Sequence, residues 1–311
     1  MNTFQIEGRQ LDRKSVVAGT SLYHKAHPTS SLVPGVLNLV GAAFDGTACF
    51  RKGASAGPLG IREVSEDIET YSPYQDSDLE EISPFYDLGD LALVRTGDAD
   101  ADWSELKGSF NDLTASMDGT VRILALGGEH SVSYFFIEKY LSLFPDLVLL
   151  HLDAHADLRD GYQGYRYSHA SVIRRCLDHF GPMHRLAQFG IRSGTREEFA
   201  WMRKEGTLYG DLLDFINYMV KIPADRPVYL TLDLDFFDPA FMPGTGTPEA
   251  GGEDFHSFIE IVRVLRAKRV VGADVVELAP AIDPTGNSGV FAAKVVREII
   301  LAFHGENGHV R

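Results

Sequence analysis

Six side chains of this sequence have the types and spacing of a two-metal site: His130, Asp153, His155, Asp157, Asp233 and Asp235. They follow apolar, strand-like runs at 121–126, 147–152 and 228–232. Alternate residues of an extended segment point to one side, so Asp153, His155 and Asp157 can converge as their strand leaves a sheet. Asp233 and Asp235 do the same at a neighbouring strand end, and His130 adds a donor from a third. Four carboxylates and two imidazoles suffice to hold two divalent cations with a water between them. Water acidified by metal is the nucleophile that a hydrolase needs.

Each piece alone has a plainer explanation. A single Asp after a strand is commonly a turn residue or helix cap, and Asp157 or Asp238 could serve that way. A single Asp-x-Asp is common in loops. Asp-x-His-x-Asp closing a buried apolar strand is more specific, because that many charges against a core are costly unless something pairs with them. The set contains no cysteine, which argues against a structural zinc or iron–sulfur site. Carboxylates favour Mg, Ca and Mn, imidazoles favour Mn, Fe, Ni and Zn, and manganese satisfies both. Four carboxylates, two divalent cations and one hydroxide leave a formal charge of −1, which a cationic substrate would neutralise.

The elements that must position these residues are legible as alternating patterns. Strands are expected at 35–42, 121–126, 147–152, 184–189, 228–232 and 269–276. Several are continuous apolar runs, as expected of strands buried on both faces. Helices are expected between them at 131–144, 169–179, 196–204, 254–268 and 289–303. This alternation predicts a parallel sheet sandwiched by helices, with the site at the carboxyl ends of its strands. Gly and Pro at 53–60 and 243–252 read as loops, and the acidic stretch 63–81 reads as a solvated helix end and loop. The Gly-x-Gly within 243–252 lacks the strand-to-helix context of a nucleotide fingerprint.

The 311 residues are 44% apolar, ample for a continuous core, and predict one domain over 1–311. A net charge of −15 argues against nucleic acid as a partner. Cys49 and Cys176 offer no disulfide framework. Residues 1–15 have no apolar h-region, and no run has the length of a membrane span, so a cytoplasmic protein with no membrane partner is expected.

Gly-Gly-Glu-His-Ser-Val (127–132), Asp-Ala-His-Ala-Asp (153–157) and Leu-Asp-Leu-Asp-Phe-Phe-Asp-Pro (232–239) together resemble the arginase/agmatinase, or ureohydrolase, family. Pro-Gly-Thr-Gly-Thr-Pro-Glu-Ala-Gly-Gly (243–252), Gly-Ala-Asp-Val-Val-Glu (272–277) and Phe44-Asp45-Gly46 with Gly53 and Gly57-Pro58 extend the likeness, which runs from about residue 35 to the end. The resemblance implies a three-layer αβα sandwich around a mostly parallel sheet of about eight strands, a homo-trimer or homo-hexamer, and two Mn2+ per subunit. It implies that residues 1–34 are an N-terminal extension packing on the domain or on a neighbouring subunit. His130 and Asp157 resemble ligands of one metal, His155 and Asp235 those of the other, and Asp153 and Asp233 those that contact both. Asp157 also resembles a group that stabilises the tetrahedral intermediate. Glu277 resembles the carboxylate that holds the substrate guanidinium, and His169 resembles a proton-shuttle histidine.

The activity implied is hydrolysis of a small cationic guanidino compound with release of urea. The Ser-containing sequence around His169 and the Glu at 129 are most like those of bacterial and archaeal agmatinases, which implies agmatine as substrate and putrescine as product. Guanidinobutyrase, aminopropylagmatine ureohydrolase and arginase activities stand as alternatives. Two other classes also stand: a two-metal hydrolase of another bond, disfavoured by the lack of an Arg/Lys cluster for phosphate, and a non-catalytic metal-binding protein.

Overall fold

The computed structural model describes residues 16–17 and 22–305. Residues 1–15 and 18–21 of the expected extension lie outside the described residues. Beyond them Leu22 and Tyr23 are buried, and the Tyr23 hydroxyl donates to the Ala293 carbonyl at 2.5 Å.

The strands are β1 (Val16–Val17), β2 (His27–Pro28), β3 (Leu37–Ala42), β4 (Tyr71–Ser72), β5 (Ser77–Asp78), β6 (Tyr86–Leu91), β7 (Arg122–Gly127), β8 (Val148–Leu152), β9 (Arg185–Phe189), β10 (Leu208–Tyr209), β11 (Pro227–Asp233) and β12 (Arg269–Val276). Among the described residues ten of them form one sheet, ordered β1-β6-β3-β7-β12-β11-β8-β9-β10 with β2 also pairing to β6. Every pairing in it is parallel except β1 with β6. The excess over the expected eight comes from two-residue edge strands that carry no pattern long enough to read.

The helices are α1 (Gly57–Ser65), α2 (Ala99–Leu113), α3 (Ser133–Leu143), α4 (Val172–Leu177), α5 (Arg196–Glu205), α6 (Leu212–Lys221), α7 (Phe255–Leu265) and α8 (Asn287–Phe303). Alternation along the strands divides the apolar side chains between two cores. Leu124, Leu126, Leu150 and Leu230 meet Ile61 of α1, Phe215 of α6, Phe258 of α7 and Val295 of α8. Ile123, Ala125, Leu149 and Tyr229 meet Phe110 of α2, Phe135 of α3, Ile173 of α4 and Met202 of α5. The result is three layers, helices on both faces of the sheet. Among the described residues no helix is long and apolar enough to cross a membrane.

Several elements differ from the sequence expectation. Strand β6 carries Asp87 and Asp90, so its charge hides it; Asp87 is buried because the Arg62 guanidinium donates to it at 2.8 and 2.9 Å. Residues 53–60 are not all loop. A 3-10 turn at Ala54–Ala56 leads into α1, whose Gly57 packs so close that a Cβ there would lie 2.8 Å from the Leu278 carbonyl. The acidic stretch 63–81 holds the β4–β5 hairpin, and its Ser72 and Gln75 donate to buried Glu298 of α8 at 2.7 Å each. Helices α2 and α6 begin on Asp98 and Asp211, whose side chains accept from Ala101 and Asp214 N–H. The expected 131–144 and 169–179 helices open with 3-10 turns at His130–Val132 and His169–Ser171, and the second is short.

Two glycines give opposite expectations. A Cβ on Gly128, just past β7, would fall 1.9 Å from the Phe44 carbonyl oxygen, so Gly128→Ala must displace backbone. It should cost about 3 kcal/mol or more. Gly108 lies inside α2 with nothing within 4 Å of its Cβ position. Gly108→Ala should stabilise by about 1 kcal/mol. Urea unfolding midpoints moving in opposite directions would bear this out; equal midpoints would refute it.

Candidate metal centre

Strands β7, β12, β11 and β8 lie side by side in the middle of the sheet, and their carboxyl ends build the site. The register pairs Leu152 with Leu232 and Asp233 with Val276, so Asp153, Asp233 and Glu277 leave the sheet at nearly one level. His130 follows β7 after Gly128 and Glu129, where Glu277 N–H donates to the Gly128 carbonyl at 2.8 Å. Asp235 stands in a 3-10 turn at Leu234–Phe236, and its N–H donates to Asp233 Oδ1 at 2.8 Å.

The side chains meet behind this edge. His130 Nδ1 lies 3.0 Å from Asp153 Oδ2, 3.0 Å from Asp157 Oδ2 and 3.5 Å from Asp233 Oδ2. His155 Nδ1 lies 2.9 Å from Asp235 Oδ2 and 3.6 Å from Asp153 Oδ1. Two compact groups result, each with donor atoms within 4.8 Å of one another: His130, His151, Asp153 and Asp157, and then Asp153, His155 and Asp235. Asp153 belongs to both. Asp233 belongs to neither group but stands against the first through His130.

These groups fit divalent cations. His130 Nδ1 is buried among carboxylates yet has no hydrogen-bond partner there, while its Nε2 is engaged by Thr231 Oγ1 at 2.9 Å. A ring nitrogen aimed between carboxylates is a metal ligand's arrangement, with the cation taking the place of its proton.

The charges strain against one another. Burial pulls the His130 pKa down, but the Asp153 and Asp157 carboxylates beside it hold it well above its ordinary value. Burial likewise opposes charge on His155, yet Asp235 and Asp153 push it up to about 12. Burial works against ionised Asp153, but His130 and His151 keep it well below its ordinary range. Burial and the Asp153 charge raise Asp157 to about 6. Burial, Asp235 and Asp153 push Asp233 well above its ordinary value.

A cavity of about 240 Å³ opens onto the cluster, lined by His130, His155, Asp157, Asp233, His169 and Glu277 among others. Glu277 Oε1 accepts from His130 N–H at 2.8 Å, and burial with the charge of Glu129 raises its pKa well above the ordinary value. His169 is pulled down to about 4 by burial and by His155 and His130, so its ring is neutral at pH 7. Its backbone N–H donates to Thr47 Oγ1 at 3.3 Å, and Thr47 N–H donates to buried Glu129 at 2.8 Å. Asp157 and Glu277 both have left-handed backbones, φ 53° and 69°, a strained state for non-glycine residues held where function demands it. Asp238, by contrast, is a turn residue that accepts from Ala240, Gly251 and Gly252 N–H.

Sequence reasoning passed over His151, although it precedes Asp153 in the same two-residue alternation and alone interrupts an apolar strand. Its Nε2 lies 2.8 Å from Asp153 Oδ2. The Gln188 amide nitrogen lies 3.3 Å from the Ala156 carbonyl, which fixes its orientation, and donates to His151 Nδ1 at 3.2 Å. His151 therefore carries its proton on Nε2 and donates it to Asp153, which makes it a support for that carboxylate rather than a further ligand. The hydrogen-bonding roles of Glu129, Thr47, Thr231 and Asp274 were also missed, because buried polar partners show no sequence pattern of their own.

A family model described as "Arginase family" matches residues 36–302. An agmatinase of Bacillus cereus is 40% identical over 286 residues, covering 91% of this chain and 96% of that protein. An N(1)-aminopropylagmatine ureohydrolase of Thermococcus kodakarensis is 36% identical, covering 78% of this chain and 82% of that one. The crystal structure of agmatine ureohydrolase of Thermoplasma volcanium superposes with a TM-score of 0.71 at 30% identity, covering 90% of each chain.

Because Asp153 is common to both groups, Asp153→Ala should abolish tight binding of every divalent cation, whereas His155→Ala should weaken one ion and leave the other. Metal content after dialysis, read by mass spectrometry, distinguishes them; an Asp153→Ala protein with the parent's metal content would sink the shared-ligand assignment. Saturation at a thousand times the Kd should stabilise the parent by about 4 kcal/mol, seen as a rise in Tm that chelator reverses.

Proposed function

The chain belongs to the arginase family, and on that footing we propose that it hydrolyses agmatine to putrescine and urea. The observation that carries this reading is that Glu277 and His169 line the same cavity as the clustered His and Asp donors. A planar cation and a water can meet there between a carboxylate and a neutral imidazole.

His130, Asp153, His155, Asp157, Asp233 and Asp235 would hold two ions, manganese by the mixture of hard carboxylate and imidazole donors. Bound there, such ions supply Lewis acidity and make water a nucleophile at neutral pH. The chain's own residues do the rest. Glu277 is fixed through Oε1 by His130 N–H, leaving its other oxygen to accept a guanidinium N–H and orient the carbon for attack. Gly246 leaves that oxygen room, since even its Cβ position is 3.7 Å away. His169 accepts a proton as water adds to the guanidinium carbon. It returns the proton to the amine nitrogen as the carbon–nitrogen bond breaks. Water and the guanidinium thus become urea and a protonated amine. The tetrahedral centre is neutral once His169 holds the first proton, and Asp157, beside His130, accepts from its hydroxyl, whose proton follows to the departing amine. The chain's net charge of −15 favours approach of a doubly charged amine.

The reading extends to a single domain over 1–311, a homo-trimer or homo-hexamer, and a cytoplasmic enzyme of polyamine metabolism that makes putrescine. The family resemblance and the donor chemistry support these points. A urea-release screen with manganese over agmatine, arginine, guanidinobutyrate and aminopropylagmatine tests the substrate. Agmatine should give the highest kcat/KM; urea from none of the four would overturn the proposal, and a different winner would move it within the family.

Two variants test the roles of the side chains. Glu277→Gln should raise KM and lower kcat/KM at least about a hundredfold, the scale of a lost charge-assisted contact with part of its positioning. His169→Ala should lower kcat by about 10²–10⁴ with unchanged metal content. Parent-like kinetics in either variant would remove that residue from the mechanism.

A further inference from the structure

Asp274, near the end of β12, is fully buried and lies outside the cavity lining. Three hydroxyls converge on it. Thr231 Oγ1 donates to Oδ1 at 2.7 Å, Ser133 Oγ donates to Oδ1 at 2.9 Å, and Tyr229 OH donates to Oδ2 at 2.8 Å. That shell is the one an ionised carboxylate collects, since it can only accept. A hydroxyl carries one proton. Thr231 directs its proton at Asp274, so toward His130 Nε2, 2.9 Å away, it offers only a lone pair. His130 Nε2 must then bear the hydrogen.

We propose that Thr231 and Asp274 form a positioning relay that keeps the hydrogen on His130 Nε2 and so leaves Nδ1, between Asp153 and Asp157, as the nitrogen offered to a cation. The relay runs from β12 to β11 to the turn after β7, across neighbouring strands of the sheet. It rests on the metal-centre reading given above and adds to it the residues that make His130 a competent donor. Neither Thr231 nor Asp274 lines the cavity. The relay serves only the group that contains His130. The His155–Asp235 group lies outside it, because the hydrogen bonds of Thr231 and Asp274 run to His130, Ser133, Tyr229 and each other. A partner that fixes the tautomer of a metal-binding imidazole is typically worth about 10- to 100-fold in affinity.

The test is a manganese titration of the metal-free protein, with free Mn2+ read by electron paramagnetic resonance, and nitrogen-detected NMR of histidine-labelled protein loaded with diamagnetic Zn2+ to read the His130 tautomer. Thr231→Val keeps the shape of the side chain and removes the acceptor. It should weaken one Mn2+ about 10- to 100-fold, leave the second unchanged, and shift His130 away from the Nε2–H form. Thr231→Ser restores the hydroxyl and should restore the affinity. Tyr229→Phe removes an equally buried donor to the other oxygen of Asp274 and should leave both affinities at the parent value while lowering stability like Thr231→Val. Equal loss of affinity in Tyr229→Phe and Thr231→Val would mean the network is structural only. Thr231→Val with parent affinities, or a parent whose His130 carries its proton on Nδ1, would also overturn the relay. If the parent itself binds no divalent cation, the metal-centre reading fails instead.

Discussion

Buried negative charge is the constraint to which the rest of this structure answers. Glu129, Asp153, Asp157, Asp233, Asp235, Asp274 and Glu277 are all buried around one end of the sheet. Among the described residues the ion pairs of these carboxylates are with histidine, never with Lys or Arg. Two unit charges at 4 Å interact by about 4 kcal/mol at a surface-like effective dielectric. An ionised cluster without counterions would therefore oppose folding. Protons are the provisional answer: His130 and His155 are pushed up, and so are Asp157, Asp233 and Glu277. Divalent cations are the permanent one, since each replaces several protons and satisfies several oxygens at once.

The sheet makes this concentration of charge possible. Parallel strands all end on one edge, so donors placed after four of them meet without long loops. The apolar runs behind the edge are buried on both faces by the two helix layers, and that burial holds the register on which the donors depend. Local strain is accepted at the edge itself. Left-handed Asp157 and Glu277 each cost on the order of 1–3 kcal/mol. Gly128 is required because the Phe44 backbone passes where a side chain would be. Behind the donors stand hydrogen-bond partners outside the cavity lining, His151 with Gln188 and Thr231 with Asp274, which orient the groups at the strand ends.

The sequence by itself determined the fold class and pointed to histidines and aspartates that the structure brings together. Strand and helix periods are local, and so is the two-residue alternation that points Asp153, His155 and Asp157 to one side. Family motifs then named Glu277 and His169. The tertiary structure alone decided which strands are neighbours: β7, β12, β11 and β8 stand together although their chain order differs. It also decided what was hidden by long-range pairing. Strand β6 was illegible because Arg62 neutralises its Asp87 from another element, and α1 was illegible because Gly57, which looks like a loop residue, serves a close packing contact. His151, Thr231 and Asp274 acquire their meaning only from partners on other strands or other turns. A residue's neighbours across a sheet are set by the strand order, and no local period in the chain encodes that order.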